Sequence, residues 1–314
     1  MRIAIFGAGG AGGYFGGKLA QAGEDVTFIA RGDHLKAIQA SGLRVDSILG
    51  DFRVSPANAT DDPAQVGPVE IVLLAVKAWQ VPEAIRDMPP LIYKSTGVIF
   101  LGNGVDAPAQ LTAALGNDPV MGGLCRISAF IAAPGHIRHA GIQPYVAFGE
   151  LDGHHSERAA LLLQAFQRAG VNAEIPADIL AAIWEKFIFI AAFSGVGAVA
   201  RAPVGPLRNL PGTRRLLQSA IAEIESLARS HDIRLPADIA AKTIAFIDAM
   251  GPGVTASMQR DIIDGRPSEL ESQNGAVVRI GREQGLPTPV NQFIYDSLLP
   301  QELKARGEIE FSLG

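Results

Sequence analysis

Four short stretches of this chain carry residue types that do chemistry: Gly7-Ala8-Gly9-Gly10-Ala11-Gly12, Val76-Lys77-Ala78-Trp79-Gln80, Gly102-Asn103-Gly104 and Trp184-Glu185-Lys186. The first has the spacing GxGxxG and lies between two apolar runs, residues 3–6 and 26–30, in the order strand, turn, helix, strand. Each of its spaced glycines answers a separate need. Gly7 permits the tight exit from the strand, Gly9 lets a diphosphate approach the backbone, and Gly12 lets the helix lie close on the strand. Gly7, Ala8, Gly9, Gly10, Ala11 and Gly12 are therefore the candidate cradle, with the first amides and the positive end of the helix dipole facing the phosphates. The flanking strand and helix carry this assignment, because with 35 glycines in the chain the bare pattern has little weight.

The residue after the second strand selects the nucleotide. A carboxylate about 20 residues beyond the glycines suits the free ribose 2′-hydroxyl of NAD, whereas an arginine suits the 2′-phosphate of NADP. Residues 25–30 are followed by Arg31, which points to NADP(H), while Asp33 keeps open the reading of Arg31 as a solvated loop residue.

Lys77 follows the apolar run 69–76 and Asn103 follows the run 97–101, the strand ends at which such sheets hold ligands. A cation and an amide there suit a nicotinamide ribose and a bound carboxylate; the alternative for each is a solvated loop side chain. Lys186 lies in an otherwise apolar helix. Desolvation lowers an ammonium pKa and a nearby carboxylate raises it again, which leaves a proton donor for a developing alkoxide. The alternative is a lysine whose stem covers apolar surface while its head stays in water. Ser257 and Glu269 sit in two further polar stretches, where Ser268 and Glu271 have the spacing of a helix cap and its capping-box partner. None of the six histidines has metal-ligand spacing with a third ligand nearby, and no metal is expected.

The elements that must position these groups divide the chain in two. Alternating strand and helix signals run to residue 176, with a small hairpin expected at 43–45 and 52–54 and a helix at 156–169. Beyond 177 the pattern changes to helices, expected at 177–200, 213–230, 238–250, 269–284 and 290–299. The fold class expected is α/β: a Rossmann-type dinucleotide-binding domain over 1–176 and an all-helical domain over 177–314. A length of 314 residues supports two cores, and 48% hydrophobic with 19% charged residues is ordinary for a globular protein. The net charge of −5 and the absence of a basic stripe argue against nucleic acid and for a small-molecule partner. A single cysteine, Cys125, excludes an internal disulfide and fits a cytoplasmic setting, as does a start without a secretory signal. The longest uncharged apolar stretch, 187–200, is short of the roughly 20 residues of a membrane span and reads as a core helix. No membrane association is expected, and a homodimer is left open.

Taken in order, the glycine loop, Val76–Gln80, Gly102–Gly104, Trp184–Lys186, Ser257-Met258-Gln259, Gly265–Glu269 and Asn274-Gly275 resemble the ketopantoate reductase family over nearly the whole chain. Its members are NADPH-dependent enzymes that reduce 2-dehydropantoate to (R)-pantoate on the way to pantothenate. The resemblance implies a Rossmann-type domain joined to a helical one, with the active site in the cleft between them. It implies that Lys186 is the general acid and that Asn103, Ser257 and Glu269 contact substrate or cofactor. The family's substrate-binding asparagines after the lysine correspond to Ile190, Ser194 and Val204, of which Ser194 alone keeps a polar group for the substrate. Loss of amide donors favours a less polar ligand, so the expectations are reduction of 2-dehydropantoate, reduction of a more apolar 2-oxo acid or ketone, or NADP binding without catalysis.

Overall fold

The computed structural model describes residues 1–312. The chain divides into two compact units, Met1–Gly102 with Ala107–Ala182, and Asn103–Asp106 with Ile183–Gly314. The last division, at 182/183, falls inside a helix, a few residues beyond the change of sequence pattern at 176/177.

The first unit is built on twelve strands: β1 (Arg2–Phe6), β2 (Asp25–Ile29), β3 (Leu43–Ser47), β4 (Phe52–Val54), β5 (Asn58–Thr60), β6 (Ile71–Leu74), β7 (Gly97–Phe100), β8 (Val120–Arg126), β9 (Ala129–Ala133), β10 (His136–His139), β11 (Tyr145–Glu150) and β12 (Asn172–Glu174). Its helices are α1 (Gly10–Gln21), α2 (Gly32–Ser41), α3 (Val81–Asp87), α4 (Ala107–Leu115) and α5 (Glu157–Arg168). The main sheet has the order β12-β11-β8-β7-β6-β1-β2-β5, parallel except where β11 meets β8. Side chains alternate across it with the period of two that strands impose. Ile3, Ile5, Ile71, Leu73 and Ile99 enter one buried cluster; Ala4, Phe6, Val72, Leu74, Val98 and Phe100 enter another. Each fully buried Ile, Leu or Phe contributes on the order of 2 kcal/mol, so both faces are specified. That explains why β1, β6 and β7 read as unbroken apolar runs rather than alternating ones.

A second sheet, β4-β3-β10-β9, contains the expected hairpin, with β3 antiparallel to β4. Helix α1 lies between the two sheets. Side chains on Gly12 and Gly16 would collide with Ile5, and on Gly13 and Gly17 with Ile137 and Phe52. The glycine-rich sequence of α1 is therefore required over nearly two turns of the helix and not only at the loop.

The second unit is helical: most of α6 (Ile179–Ala200), then α7 (Val204–Asn209), α8 (Pro211–Ser230), α9 (Ile239–Ala249), α10 (Ser257–Ile263), α11 (Ala276–Gln284) and α12 (Pro289–Ala305), with a π turn at Glu271–Gly275 before α11. Helix α6 has the length and apolarity to cross a membrane, but 67% of its apolar window is buried inside the protein. Phe187, Ile188, Ala191, Phe193 and Val196 pack there with Leu217, Ile221 and Ile224 of α8. Three sequence expectations change. α7 and α10 were not expected, being too short for a periodicity to register. α12 runs through Pro300 to Ala305, where the buried carboxylate of Glu302 accepts hydrogen bonds from Ser268 and from Arg306 Nε at 2.7 Å. The capping box between Ser268 and Glu271 does not form. Ser268 is bound to Glu302, its Oγ accepting from Leu270 N at 3.2 Å, while Glu271 takes the Tyr295 hydroxyl at 2.7 Å.

Candidate active site

The glycine loop follows β1, an interior strand of the main sheet between β6 and β2, the position at which strand order reverses and ligands bind. Gly7 has φ +99°, and its N–H donates to Ile29 O at 3.0 Å, so the chain turns sharply off the strand. Gly12 approaches the loop so closely that a Cβ would lie 2.0 Å from Gly7 O. Gly9, the residue capping α1, differs: no atom lies within 4 Å of a Cβ built on it. The space beside the first amides of α1 is open on that side, as a bound diphosphate requires.

Gly10 has a role that the spacing did not disclose. A Cβ there would lie 2.1 Å from the Ala129 carbonyl oxygen of β9. His34 is a second residue the sequence reading missed. The Gly135 N–H donates to its Nδ1 at 3.0 Å, which puts the proton of the neutral ring on Nε2, and Nε2 donates to Ala8 O at 2.8 Å. The loop is thus held from the α2 side and from the β9–β10 turn. Both partners lie too far along the chain for a local pattern to reveal them.

Arg31 precedes α2 as expected, but its guanidinium is engaged. Nη1 donates to Glu83 Oε1 at 2.6 Å and Nη2 to Asp87 Oδ2 at 3.0 Å, both on α3. The Glu83 carboxylate foremost, then that of Asp87, holds the guanidinium pKa above its ordinary value. Lys77 lies beyond β6, partly buried, its N–H donating to Gln80 Oε1 at 3.1 Å and its Nζ 5.6 Å from the Trp79 ring centroid.

In the second unit, Asn103 and Glu269 meet. Asn103 Nδ2 donates to Glu269 Oε2 at 2.8 Å, and the carboxylate is only 4% exposed. Gly104, at φ +102°, passes so close to Ser272 that a Cβ would lie 2.9 Å from its carbonyl oxygen, and Asp106 accepts from Arg279 Nη2 at 2.7 Å. Residues 103–106 therefore belong to the helical unit although they follow a strand of the sheet. Ser257 is the first residue of α10 and is partly buried.

Lys186 is partly exposed on α6 rather than fully buried, between the buried side chains of Trp184 and Phe187. Ile190, one turn on, is also partly exposed. Ser194, another turn on, is fully buried, and its Oγ has no hydrogen-bond partner among the described residues. Val204 is fully buried at the start of α7, with its N–H on Val254 O at 3.0 Å, so it is a core residue. Both side-chain polar atoms of Gln273 and Oδ1 of Asn274 are likewise buried and unsatisfied among the described residues.

The sequence profile of the family described as ketopantoate reductase PanE/ApbA matches residues 3–153, and the profile of its C-terminal part matches residues 178–302. An oxidoreductase of Bacillus subtilis named YkpB, described as uncharacterized, is 32% identical over 95% of this chain and 98% of its own length. The 2-dehydropantoate 2-reductase of Mesorhizobium japonicum is 32% identical over 92% of this chain and 94% of its own length. The crystal structure of a PanE/ApbA family ketopantoate reductase from Ralstonia eutropha JMP134 superposes with a TM-score of 0.88 at 32% identity, covering 98% of this chain and all of that one.

Proposed function

This chain belongs to the ketopantoate reductase family, and on that premise we propose that it catalyses the NADPH-dependent reduction of 2-dehydropantoate to (R)-pantoate, a cytoplasmic step of pantothenate formation. The glycine loop fits a dinucleotide: the side of Gly9 is open where its neighbours are filled, and α1 begins there. When bound, the reduced nicotinamide supplies the hydride. Gly7 to Gly12 hold the diphosphate, Arg31 the 2′-phosphate, and Lys77 and Asn103 the nicotinamide end. Lys186 gives its proton to the carbonyl oxygen of the 2-oxo acid as negative charge develops there. Ser257 binds the substrate, whereas Ser194, fully buried like Val204, is withdrawn from it, and Glu269 orients Lys186 or the cofactor ribose.

The observation that carries this reading is the hydrogen bond between Asn103 and Glu269. A buried carboxylate is costly unless donors satisfy it, and one of its donors is the amide that follows the β7 exit, 166 positions away in the chain. A pair of that kind is worth building where its polar atoms serve a ligand.

A second reading has its own support. Ile190 presents an aliphatic surface one turn from Lys186, and Val204 is withdrawn into the core, so the amide contacts of a polar substrate are missing at both places. This favours a 2-oxo acid or ketone with a more apolar side chain. Steady-state assays with 2-dehydropantoate, 2-oxoisovalerate and bulkier 2-oxo acids, each with NADPH and NADH, separate the readings. The expected result is turnover of 2-dehydropantoate, lowered by a factor on the order of 10² to 10⁴ in Lys186→Ala with NADPH binding kept. A preference for the apolar acids establishes the second reading. No substrate-dependent oxidation of NADPH leaves a binding protein without catalysis, and unchanged turnover in Lys186→Ala removes that residue from the mechanism.

A further inference from the structure

The residue expected to receive a 2′-phosphate already has two anionic partners. Glu83 and Asp87 are one turn apart on α3, and each occupies a different terminal nitrogen of Arg31, at 2.6 and 3.0 Å. One guanidinium thus faces two carboxylates, and Asp61 adds a third negative charge to the same field. All three members of the ion pairs are about half exposed, so they are accessible to a ligand and able to rearrange. A 2′-phosphate must take the guanidinium donors from these carboxylates and then lie beside the charges it has displaced. A free 2′-hydroxyl is neutral, can donate to a carboxylate, and meets no such opposition.

We propose that Glu83 and Asp87 compete with the 2′-phosphate for Arg31 and so set the cofactor preference of this chain, holding the ratio of NADPH to NADH affinity well below what Arg31 alone would give. The inference rests on the reading that Arg31 meets the 2′-phosphate. It makes two exposed acids on α3 specificity-determining residues, although neither belongs to the glycine loop or to the strand end that precedes Arg31.

The test is a fluorescence titration of NADPH and of NADH against the wild type, Glu83→Gln/Asp87→Asn, Arg31→Ala, and the triple variant that combines them. An exposed ion pair of this type is worth a factor of about two to five, so removing both acids raises the NADPH to NADH affinity ratio on the order of tenfold. The gain shrinks as salt is raised from low to physiological concentration, because the opposition is electrostatic. In the Arg31→Ala background the same double substitution produces no gain, since there is no guanidinium left to release. The single variants Glu83→Gln and Asp87→Asn each give part of the effect and serve if the double variant is poorly folded. An affinity ratio unchanged by removal of the acids, with Arg31→Ala lowering it, overturns the competition and leaves Arg31 as the phosphate ligand. A ratio unchanged by Arg31→Ala overturns the underlying reading of Arg31 itself. A gain that persists in full without Arg31 replaces competition by plain repulsion and also overturns the proposal.

Discussion

The imidazole of His34 serves the glycine loop only in its neutral Nε2–H form, because Nδ1 must accept from Gly135 while Nε2 donates to the Ala8 carbonyl. A glutamine retains one acceptor and one donor at similar reach, whereas an alanine leaves both backbone groups without a partner. His34→Ala is expected to weaken NADPH binding about five- to thirtyfold, the loss of one or two hydrogen bonds with a partly buried carbonyl left unpaired. Turnover at saturating NADPH changes little, and His34→Gln restores most of the affinity. Titration of cofactor beside steady-state kinetics checks this; a fall in turnover with cofactor affinity intact would show that His34 acts elsewhere. What is legible in a sequence at this scale is whatever a residue needs from its immediate neighbours. Gly7 and Gly12 are of that kind, since a turn and a helix packed on its own strand are local demands. The partners of Arg31 lie 52 and 56 positions away, and those of Ser268 and His34 are also distant in the chain, so their true bonding could not be read. Lys186 was expected to be buried because its neighbours are apolar, yet the two partly exposed positions 186 and 190 share one side of α6, a distinction that composition does not make.

At the scale of the element, α1 shows how one stretch answers two demands. Gly9 and Gly10 are adjacent and both glycine, but they face different surroundings. Gly9 has ordinary backbone geometry, φ −70°, and open space beside it. Gly9→Ala is therefore expected to keep the thermal midpoint while reducing NADPH affinity, since the methyl group occupies the ligand's side. Gly10→Ala must move β9 or the helix, because its Cβ would sit 2.1 Å from a carbonyl oxygen, at a cost of roughly 1–3 kcal/mol. Thermal unfolding and cofactor titration on the two variants check the contrast; equal stability in both would mean that β9 yields freely. The strands β1, β6 and β7 and the long helices α5, α6 and α8 were legible from apolar runs and helical period. The second sheet as a layer over α1 was not, because β10 pairs with β3, far from it in sequence, β9 joins only through β10, and the pattern of both is short. The helix expected over 290–299 continues through Pro300 to Ala305, where Glu302 is anchored from two directions.

At the scale of the whole molecule, the stability of the first unit carries a recognisable acid signature. Burial alone would raise the carboxyl pKa of Glu150, but hydrogen bonds from Arg158 and Ser156 outweigh it and leave the group below its ordinary 4.5. The folded state then binds this proton less readily than the unfolded chain does. The stabilisation is complete above about pH 5 and is lost as pH falls through the lower folded-state value. Arg158→Met leaves a carboxylate that is 5% exposed without its guanidinium partner. It is expected to destabilise by roughly 1–3 kcal/mol at neutral pH, the cost of a buried acceptor left short of its donors. Urea midpoints measured between pH 3 and 7 check both statements: the wild-type midpoint falls on the acid side, and the variant falls less steeply. An identical slope in the two proteins would mean that other carboxylates dominate.

The four residues Asn103–Asp106 give the architecture a property that a diagram of consecutive domains would hide. Asn103 supplies a donor to the buried Glu269, Asp106 neutralises Arg279, and Val105 packs against the hydrophobic core formed by α6 and α8. A fragment cut from the gene at the point where helices begin would lack all three, so it would start life with a core gap and a buried carboxylate short of one donor. Neither half is a contiguous length of polypeptide, and the ribosome makes residues 103–106 directly after β7, long before the segments that carry Glu269 and Arg279, so the piece must wait for the half to which it belongs.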